Sequence, residues 1–200
     1  MESIKTAKHS SGDSGITCVG GRVDSSSEGG RPEQKRATMQ LAKSHALVDF
    51  TGTLDEAQAA LGYAAVAAQS VASEYAALRD VADCLIWMQR QIFQAGTILL
   101  GAAAADAAPN HPWDKLLADI EERNEHFAPA AAAQGFILPG GSELAARIEL
   151  ARTAIRRLER SYCANFQHMD ALPVFNRLST LAFTLARYSN ETQKVNETLL

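Results

Sequence analysis

Residues 136–163 read FILPGGSELAARIELARTAIRRLERSYC, and this stretch decides the predicted fold class. The Pro-Gly-Gly sequence at residues 139–141 is typical of a turn, so the chain changes direction there. Ser142 follows as a natural helix N-cap, and Glu143 places a carboxylate where the helix dipole favours an anion. A helix is therefore predicted to begin directly after Ser142.

Two stripes of side chains run along this predicted helix. The apolar stripe recurs at spacings of three and four residues and consists of Leu144, Ile148, Ala151, Ile155 and Leu158. Arg152, Arg156 and Arg160 lie at i, i+4 and i+8 and form a second stripe beside it. A guanidinium binds phosphate oxygens in a rigid fork, which favours a fixed anionic ligand. The alternative is a solvated helix face with local ion pairs around Glu149.

Composition limits the class of protein. The 200 residues are 46% hydrophobic and 21% charged, which is enough for one domain with a sizeable core. The net charge of -4 gives no electrostatic reason to expect a nucleic-acid or anionic-membrane partner. No apolar run is long enough to span a bilayer, and the N-terminus lacks a signal-peptide pattern. Cys18, Cys84 and Cys163 have no metal-ligand spacing, and their odd number argues against a disulfide framework. We expect a cytoplasmic protein.

The N-terminal segment contains one glycine-rich stretch, GDSGIT at residues 12–17. Glycines allow backbone N–H groups to approach a phosphate closely, and Asp13 or Thr17 would fix the loop or help to hold a metal. The stretch lacks the lysine of a Walker A loop. Taken alone, its composition favours a plain flexible tail. Residues 24–36 are rich in serine, glycine and charge, which indicates a mobile surface insertion.

Helical patterns fill the remainder of the chain. Thr53 and Glu56 form a capping box, so a helix is predicted to begin at Thr53, with Asp55 in its first turn. Further helices are predicted over residues 73–103, from Pro112 to about His126, and from near Pro173 towards the C-terminus. The sequence therefore predicts an all-α protein.

Four separate stretches, taken together, resemble the PduO-type ATP:cob(I)alamin adenosyltransferases. The FILPGGS turn with its arginine helix is similar to the signature of that family. The N-terminal GDSGIT and GGRV stretches resemble its ATP-binding loop, TGTLDE at residues 51–56 resembles its first helix, and FNRLSTLAFTLARYSN at residues 175–190 resembles its last. The resemblance covers nearly everything except residues 1–8 and 24–46.

The resemblance implies a five-helix bundle of the ferritin-like type, assembled as a homotrimer with the site between subunits. It divides the chain into an ATP-binding loop or tail (residues 1–23), a variable insertion (residues 24–46) and the helical bundle (residues 47–200). The implied reaction is transfer of the 5′-deoxyadenosyl group of ATP to cob(I)alamin, with triphosphate leaving. ATP, cobalamin and Mg²⁺ are the implied ligands, no metal-ligating residue is assigned, and a cobalamin reductase is an optional partner.

The resemblance also implies roles for individual residues. The catalytic residues are Arg152, Arg156 and Asp55, with Asp55 pairing to Arg152 across the subunit boundary. The ATP-binding residues are Gly12, Asp13, Gly15, Thr17, Arg22, Arg152, Arg156 and Asn176. Phe136 and Phe183 are the implied corrin-binding residues, with Phe136 crowding the lower face of the ring. An apolar plug before the turn is the alternative for Phe136.

Four positions depart from the family pattern. Ser10 and Ser14 stand where the family usually has cationic residues, Thr51 stands for a tyrosine, and Thr180 stands for an aspartate. Two missing cations beside a triphosphate would weaken ATP binding. These departures support a second hypothesis, a non-catalytic cobalamin-binding or structural relative. ATP binding distinguishes the two, because a catalyst binds both ligands, a carrier only the corrinoid and a structural bundle neither.

Overall fold

A computed structural model describes residues 16–25, 33–106, 108–109, 111–129 and 135–200. Its helices are α1 (Ala46–Val71), α2 (Leu78–Ala104), α3 (Trp113–His126), α4 (Glu143–Asn165) and α5 (Leu172–Thr192). Two strands precede them, β1 (Ile16–Ser25) and β2 (Glu33–Ala42). The predicted five-helix architecture is confirmed.

The helices share one apolar core, with α1 between α2 and α4 and with α5 packed on α4 and α3. The apolar stripe predicted for α4 is buried throughout: Leu144, Ile148, Ala151, Ile155 and Leu158 are each at most 2% exposed. The predicted cap is also confirmed, because Ala145 N donates to Ser142 Oγ at 3.1 Å. The sequence pattern therefore places α4 and its faces correctly.

The predicted start of α1 is wrong. The helix begins at Ala46, where Nδ1 of the N-cap residue His45 accepts a hydrogen bond from Leu47 N at 3.1 Å. Thr53 lies inside the helix, and its hydroxyl donates to the carbonyl of Phe50 at 2.8 Å. Phe50 is fully buried, and the burial of this upstream turn outweighs the capping preference of Thr53. Similarly, α2 begins at Leu78, five residues after the predicted start.

The N-terminal hairpin was not predicted from the sequence. Strands β1 and β2 pair antiparallel over their whole length, from Ile16 opposite Ala42 to Ser25 opposite Glu33. β1 packs on α2, and Val19 is 5% exposed within the core. Residues 24–25 and 33–36 therefore belong to strands, which corrects the expected mobile insertion, while residues 26–32 lie outside the described ranges. No helix in the described ranges is both long enough and apolar enough to cross a membrane.

Candidate functional site

The arginine edge of α4 consists of Arg152, Arg156 and Arg160, and its members differ in their partners. Arg152 Nε donates to Glu149 Oε2 at 2.5 Å, and Glu149 is only 7% exposed. The local ion pair of the alternative interpretation therefore forms at Arg152, but its carboxylate is buried rather than solvated. A buried carboxylate is costly without a cation, so this pair fixes the Arg152 side chain.

Arg156 and Arg160 are exposed and have no ion pair with any described residue. By contrast Arg157, which the sequence pattern did not single out, pairs with Glu56 across the α1–α4 contact. Arg156 is therefore a free guanidinium one helical turn beyond a fixed one. Such an arrangement can receive an anion with several oxygen atoms.

Asp55 is exposed on α1 and makes no ion pair with a described residue of its own chain. Helix α1 runs antiparallel to α4, with Asp49 near Ser161 at one end of the contact and Tyr63 against Arg147 at the other. The predicted Asp55–Arg152 pair does not form within one chain. Its formation across subunits stays a prediction.

Phe136 is 83% exposed, so it does not plug the core of its own chain. Its backbone is held in a short antiparallel pairing with the C-terminal residues. Leu200 N donates to Phe136 O at 2.9 Å, and Leu138 N donates to Thr198 O at 2.9 Å. The ring therefore projects outward from a restrained backbone. In this position it is accessible to a flat apolar ligand.

The turn that follows Phe136 is held by the end of α5. Gly140 and Gly141 have φ angles of 152° and 96°, which side chains rarely adopt. Asn190 Oδ1 accepts from Ser142 N at 2.9 Å, and Asn190 Nδ2 donates to Gly140 O at 3.1 Å. No role for Asn190 was predicted from the sequence, although its place at the end of the ARYSN match is a signal that could have identified it.

The remaining predicted site residues of α5 lie along one side of the helix. Phe183 is half-buried, whereas Asn176 is exposed and donates from Nδ2 to Glu159 Oε1 at 3.1 Å. The hydroxyl of Thr180 donates to the carbonyl of Asn176 at 3.3 Å. Thr180 thus satisfies its hydroxyl locally and supplies no carboxylate at this end of the site.

The predicted ATP-binding loop is only partly described. Gly12, Asp13 and Gly15 lie outside the described residues, as do Ser10 and Ser14. Thr17 and Arg22 are both in β1. Thr17 is half-buried, and Arg22 lies opposite Arg36 of β2 in the backbone register of the hairpin. The loop therefore leads directly into a strand that is anchored on α2.

The described residues bring no three His, Cys, Asp or Glu side chains together as metal ligands. Burial raises the pKa of the Cys84 thiol to about 12, although the nearby Arg123 acts in the opposite direction. Cys84 is therefore a protonated core residue and not an activated nucleophile.

Comparisons with known proteins identify the family to which this chain is similar. A family model described as cobalamin adenosyltransferase matches residues 31–189. The corrinoid adenosyltransferase of Mycobacterium tuberculosis is 33% identical over 162 residues, which cover 76% of this chain and 79% of that protein.

Two solved structures of a PduO-type ATP:corrinoid adenosyltransferase from Lactobacillus reuteri have the same fold. A phenylalanine-to-alanine variant complexed with cobalamin and ATP has a TM-score of 0.70 and 27% identity, covering 81% of this chain and 90% of that one. An arginine-to-lysine variant complexed with ATP has a TM-score of 0.71 and 25% identity, covering 97% of this chain and 99% of that one.

Proposed function

Because the chain belongs to the cobalamin adenosyltransferase family, we propose that it transfers the 5′-deoxyadenosyl group of ATP to cob(I)alamin. The products are adenosylcobalamin and triphosphate, which makes the protein an ATP-dependent alkyl transferase. Within this chain, the main structural support for the proposal is the arginine edge of α4. There the buried Glu149 fixes Arg152 and leaves Arg156 free for an anion.

The reaction needs no nucleophilic side chain. Cob(I)alamin supplies an electron pair from cobalt, which forms the bond to C5′ of ATP while the bond from C5′ to the phosphate oxygen breaks. Those electrons leave with the triphosphate, and cobalt is formally oxidised from Co(I) to Co(III). The protein must therefore place C5′ in line with cobalt and stabilise the charge that develops on the leaving group.

Arg152 and Arg156 are suited to the leaving group. With its Nε engaged by Glu149, Arg152 keeps the two terminal nitrogens of its guanidinium for phosphate oxygens. Arg156 offers its whole guanidinium. Two planar cations one turn apart can contact different phosphates of one triphosphate, which favours a fixed orientation.

Further contacts to ATP are assigned to residues 12–22, which span the loop before β1 and the first part of that strand, and to Asn176. We place Gly12, Asp13, Gly15, Thr17 and Arg22 at the phosphates, and Mg²⁺ enters with the triphosphate of ATP. The exposed hydrogen bond of Asn176 to Glu159 is easily exchanged for one to the nucleotide.

We assign the corrin ring to Phe136 and Phe183. The outward presentation of Phe136 supports a contact with the lower face of the ring, where it would exclude the lower axial ligand of cobalt. Loss of that ligand makes cobalt(II) easier to reduce to the nucleophilic cobalt(I). A separate cytoplasmic reductase would supply the electron.

We propose that the catalytic unit is a homotrimer with its site between subunits. Two observations support this assembly. Asp55 and Arg152 find no pairing with each other within a chain, and exposed apolar side chains lie on α1 and α4, namely Tyr63, Val66 and Leu150. Asp55 would complete the environment of Arg152 on the neighbouring subunit.

An anaerobic assay with chemically reduced cobalamin and ATP tests the proposal. We expect the absorbance of adenosylcobalamin to appear only when protein and ATP are both present. Corrinoid binding without product would favour the carrier hypothesis that the departures at Ser10, Ser14, Thr51 and Thr180 support. Binding of neither ligand would indicate a structural bundle.

A further inference from the structure

We propose that Asn190, at the end of α5, is a positioning residue that sets the place of Phe136 through the turn at residues 139–142, assisted by the C-terminal tail. This inference rests on the proposed function, because it concerns the corrin-facing role of Phe136. It assigns a task to a part of the chain that the reaction itself does not use.

Asn190 is 4% exposed, and its amide uses both of its polar atoms on the turn. The oxygen accepts from the backbone of Ser142 at 2.9 Å, and the nitrogen donates to the carbonyl of Gly140 at 3.1 Å. Gln193, one turn later in the chain, donates to the Ser142 hydroxyl at 3.0 Å. The same hydroxyl caps α4, so the turn, the start of α4 and the end of α5 form one connected network.

Close packing reinforces these hydrogen bonds. A Cβ atom at Gly141 would lie 2.4 Å from Asn190 Oδ1, so the amide occupies the space that any side chain at this position would need. The positive φ angles of Gly140 and Gly141 are compatible with this approach. The turn therefore has little freedom to shift along α5.

The tail restrains the other side of Phe136. Val195 N donates to the carbonyl of Asn190 at 2.9 Å, and Arg187 pairs with Glu197 at 3.1 Å, with both side chains mostly buried. The tail then reaches residues 198–200, which bond to the backbone of Phe136 and Leu138. The segment with Phe136 is thus fixed by α5 at the turn and by the tail at the backbone of Phe136 and Leu138.

This restraint matters because the Phe136 ring itself is 83% exposed and has little packing from its own chain. Its position is determined by the backbone. A group that excludes an axial ligand must be placed to within about 0.5 Å, and a misplacement of about 1 Å can reduce a rate roughly 100-fold. Loosening the turn should therefore affect the coordination of cobalt while leaving the phosphate contacts intact.

The test compares Asn190→Asp with Ser189→Ala. Asn190→Asp keeps the size and the acceptor but replaces the donor to Gly140 with a carboxylate oxygen facing a carbonyl. Ser189 is a fully buried neighbour whose hydroxyl donates within the helix to Leu185 O at 2.7 Å, so it controls for the loss of a buried hydrogen bond in the same turn.

Three readouts are expected to change in Asn190→Asp and not in Ser189→Ala. The kcat should fall at least ~10-fold with the KM for ATP within ~2-fold, because only the corrin side is disturbed. The fraction of four-coordinate cob(II)alamin in the ATP complex, measured by electron paramagnetic resonance, should fall as well. Amide hydrogen exchange at Leu138 and Ser142 should become faster.

The outcomes separate this inference from the proposed function. If the unmodified protein forms no adenosylcobalamin, the proposed function is wrong, and the exchange data still report whether Asn190 holds the turn. If Asn190→Asp retains the normal four-coordinate fraction, or if Ser189→Ala loses as much, the inference is overturned. Should Asn190→Asp fail to fold, Asn190→Ser removes both amide contacts to the turn without adding a buried charge, and normal spectra for that variant would contradict the proposal.

Discussion

Arg152 and Arg156 are chemically identical side chains in very different situations. The first is tied to the buried carboxylate of Glu149, and the second is exposed and without an ion pair in the described part of the chain. A fixed cation gives a site its geometry, whereas a free one can move onto the ligand and follow charge as it develops. Substitution of Arg156 is therefore the more informative test.

Arg156→Lys should reduce kcat at least ~10-fold without changing the fold, because an ammonium cannot form the two parallel hydrogen bonds of a guanidinium. Arg160→Lys, one turn further on the same exposed face, is the matched control and should have nearly normal turnover. Steady-state assays and thermal melts of both variants provide the measurement. A normal kcat in Arg156→Lys would remove this side chain from the mechanism.

The serines of the N-terminal loop allow the opposite experiment, a gain of binding. Ser10→Lys with Ser14→Lys adds two cations beside the place assigned to the triphosphate, so ATP should bind several-fold to ~100-fold more tightly. The affinity should also depend more steeply on salt, while cobalamin binding should change little. Titration calorimetry at two ionic strengths measures both effects.

Ser73→Lys with Ala76→Lys adds the same charge on the exposed connection between α1 and α2 and serves as the control. If the two double variants bind ATP equally, the tightening comes from net charge alone. The loop would then not contact the nucleotide.

At the scale of elements, prediction succeeded where the decisive information is local. The N-cap and both stripes of α4 lie within two dozen residues, so the pattern predicted the start of the helix and its buried face. The start of α1 depended instead on the burial of Phe50 against distant residues, which overrode a good capping box at Thr53. Hairpin residues such as Gly20 and Gly21 have low strand propensity. Their extended conformation is explained by the pairing of β1 with β2 and by the packing of β1 on α2.

The contact of α2 with α3 provides a test that is independent of any ligand. Cys84 is 2% exposed on α2, and on α3 the guanidinium of Arg123 stacks 4.2 Å from the centroid of the Trp87 ring. A thiol reagent should modify the exposed Cys18 and Cys163 in the native protein, and Cys84 only after unfolding. Rapid modification of all three cysteines would contradict this packing.

The raised pKa of Cys84 also predicts a pH dependence of stability. Its thiol ionises near the ordinary value of 9.0 in the unfolded chain but only near 12 in the folded one. Above pH 9.0 the folded state thus binds more protons, and the free energy of unfolding should fall as pH rises. Cys84→Ala should remove part of that slope in denaturant titrations at pH 8 and pH 10.

At the scale of the whole molecule, the predicted site is divided between surfaces. The arginine edge, Phe136 and Asp55 all face outward from a single chain, and Asp55 has no ion pair among the described residues. Sequence resemblance could assign these residues to one site, but no pattern within one chain could predict the distances between them. We propose that contacts between subunits of the trimer set those distances.

A double-mutant cycle tests the pairing of Asp55 with Arg152. Arg152→Ala also leaves the buried Glu149 without its cation, so the informative comparison is Asp55→Ala in the presence and absence of Arg152. We expect Asp55→Ala to reduce activity at least several-fold in the normal protein and to have little further effect in Arg152→Ala. Light scattering should give the mass of a trimer.

Glu56→Ala is the control for this cycle, because Glu56 is the neighbour of Asp55 but pairs with Arg157 of its own chain. Its effect should be the same with and without Arg152. Additive losses for Asp55 and Arg152, or a monomer in solution, would exclude the proposed contact between subunits.

The pairing of α1 with α4 can be completed only late in translation. Asp49 and Ser161, which meet across this pair, are 112 residues apart in the chain. At about 5–20 residues per second, a ribosome needs roughly 5–20 s to synthesise that interval. During this time α2 is available to cover one side of α1, while the side reserved for α4 stays in contact with solvent or a chaperone. Among the helices, α1 therefore emerges first and waits longest for its full set of neighbours.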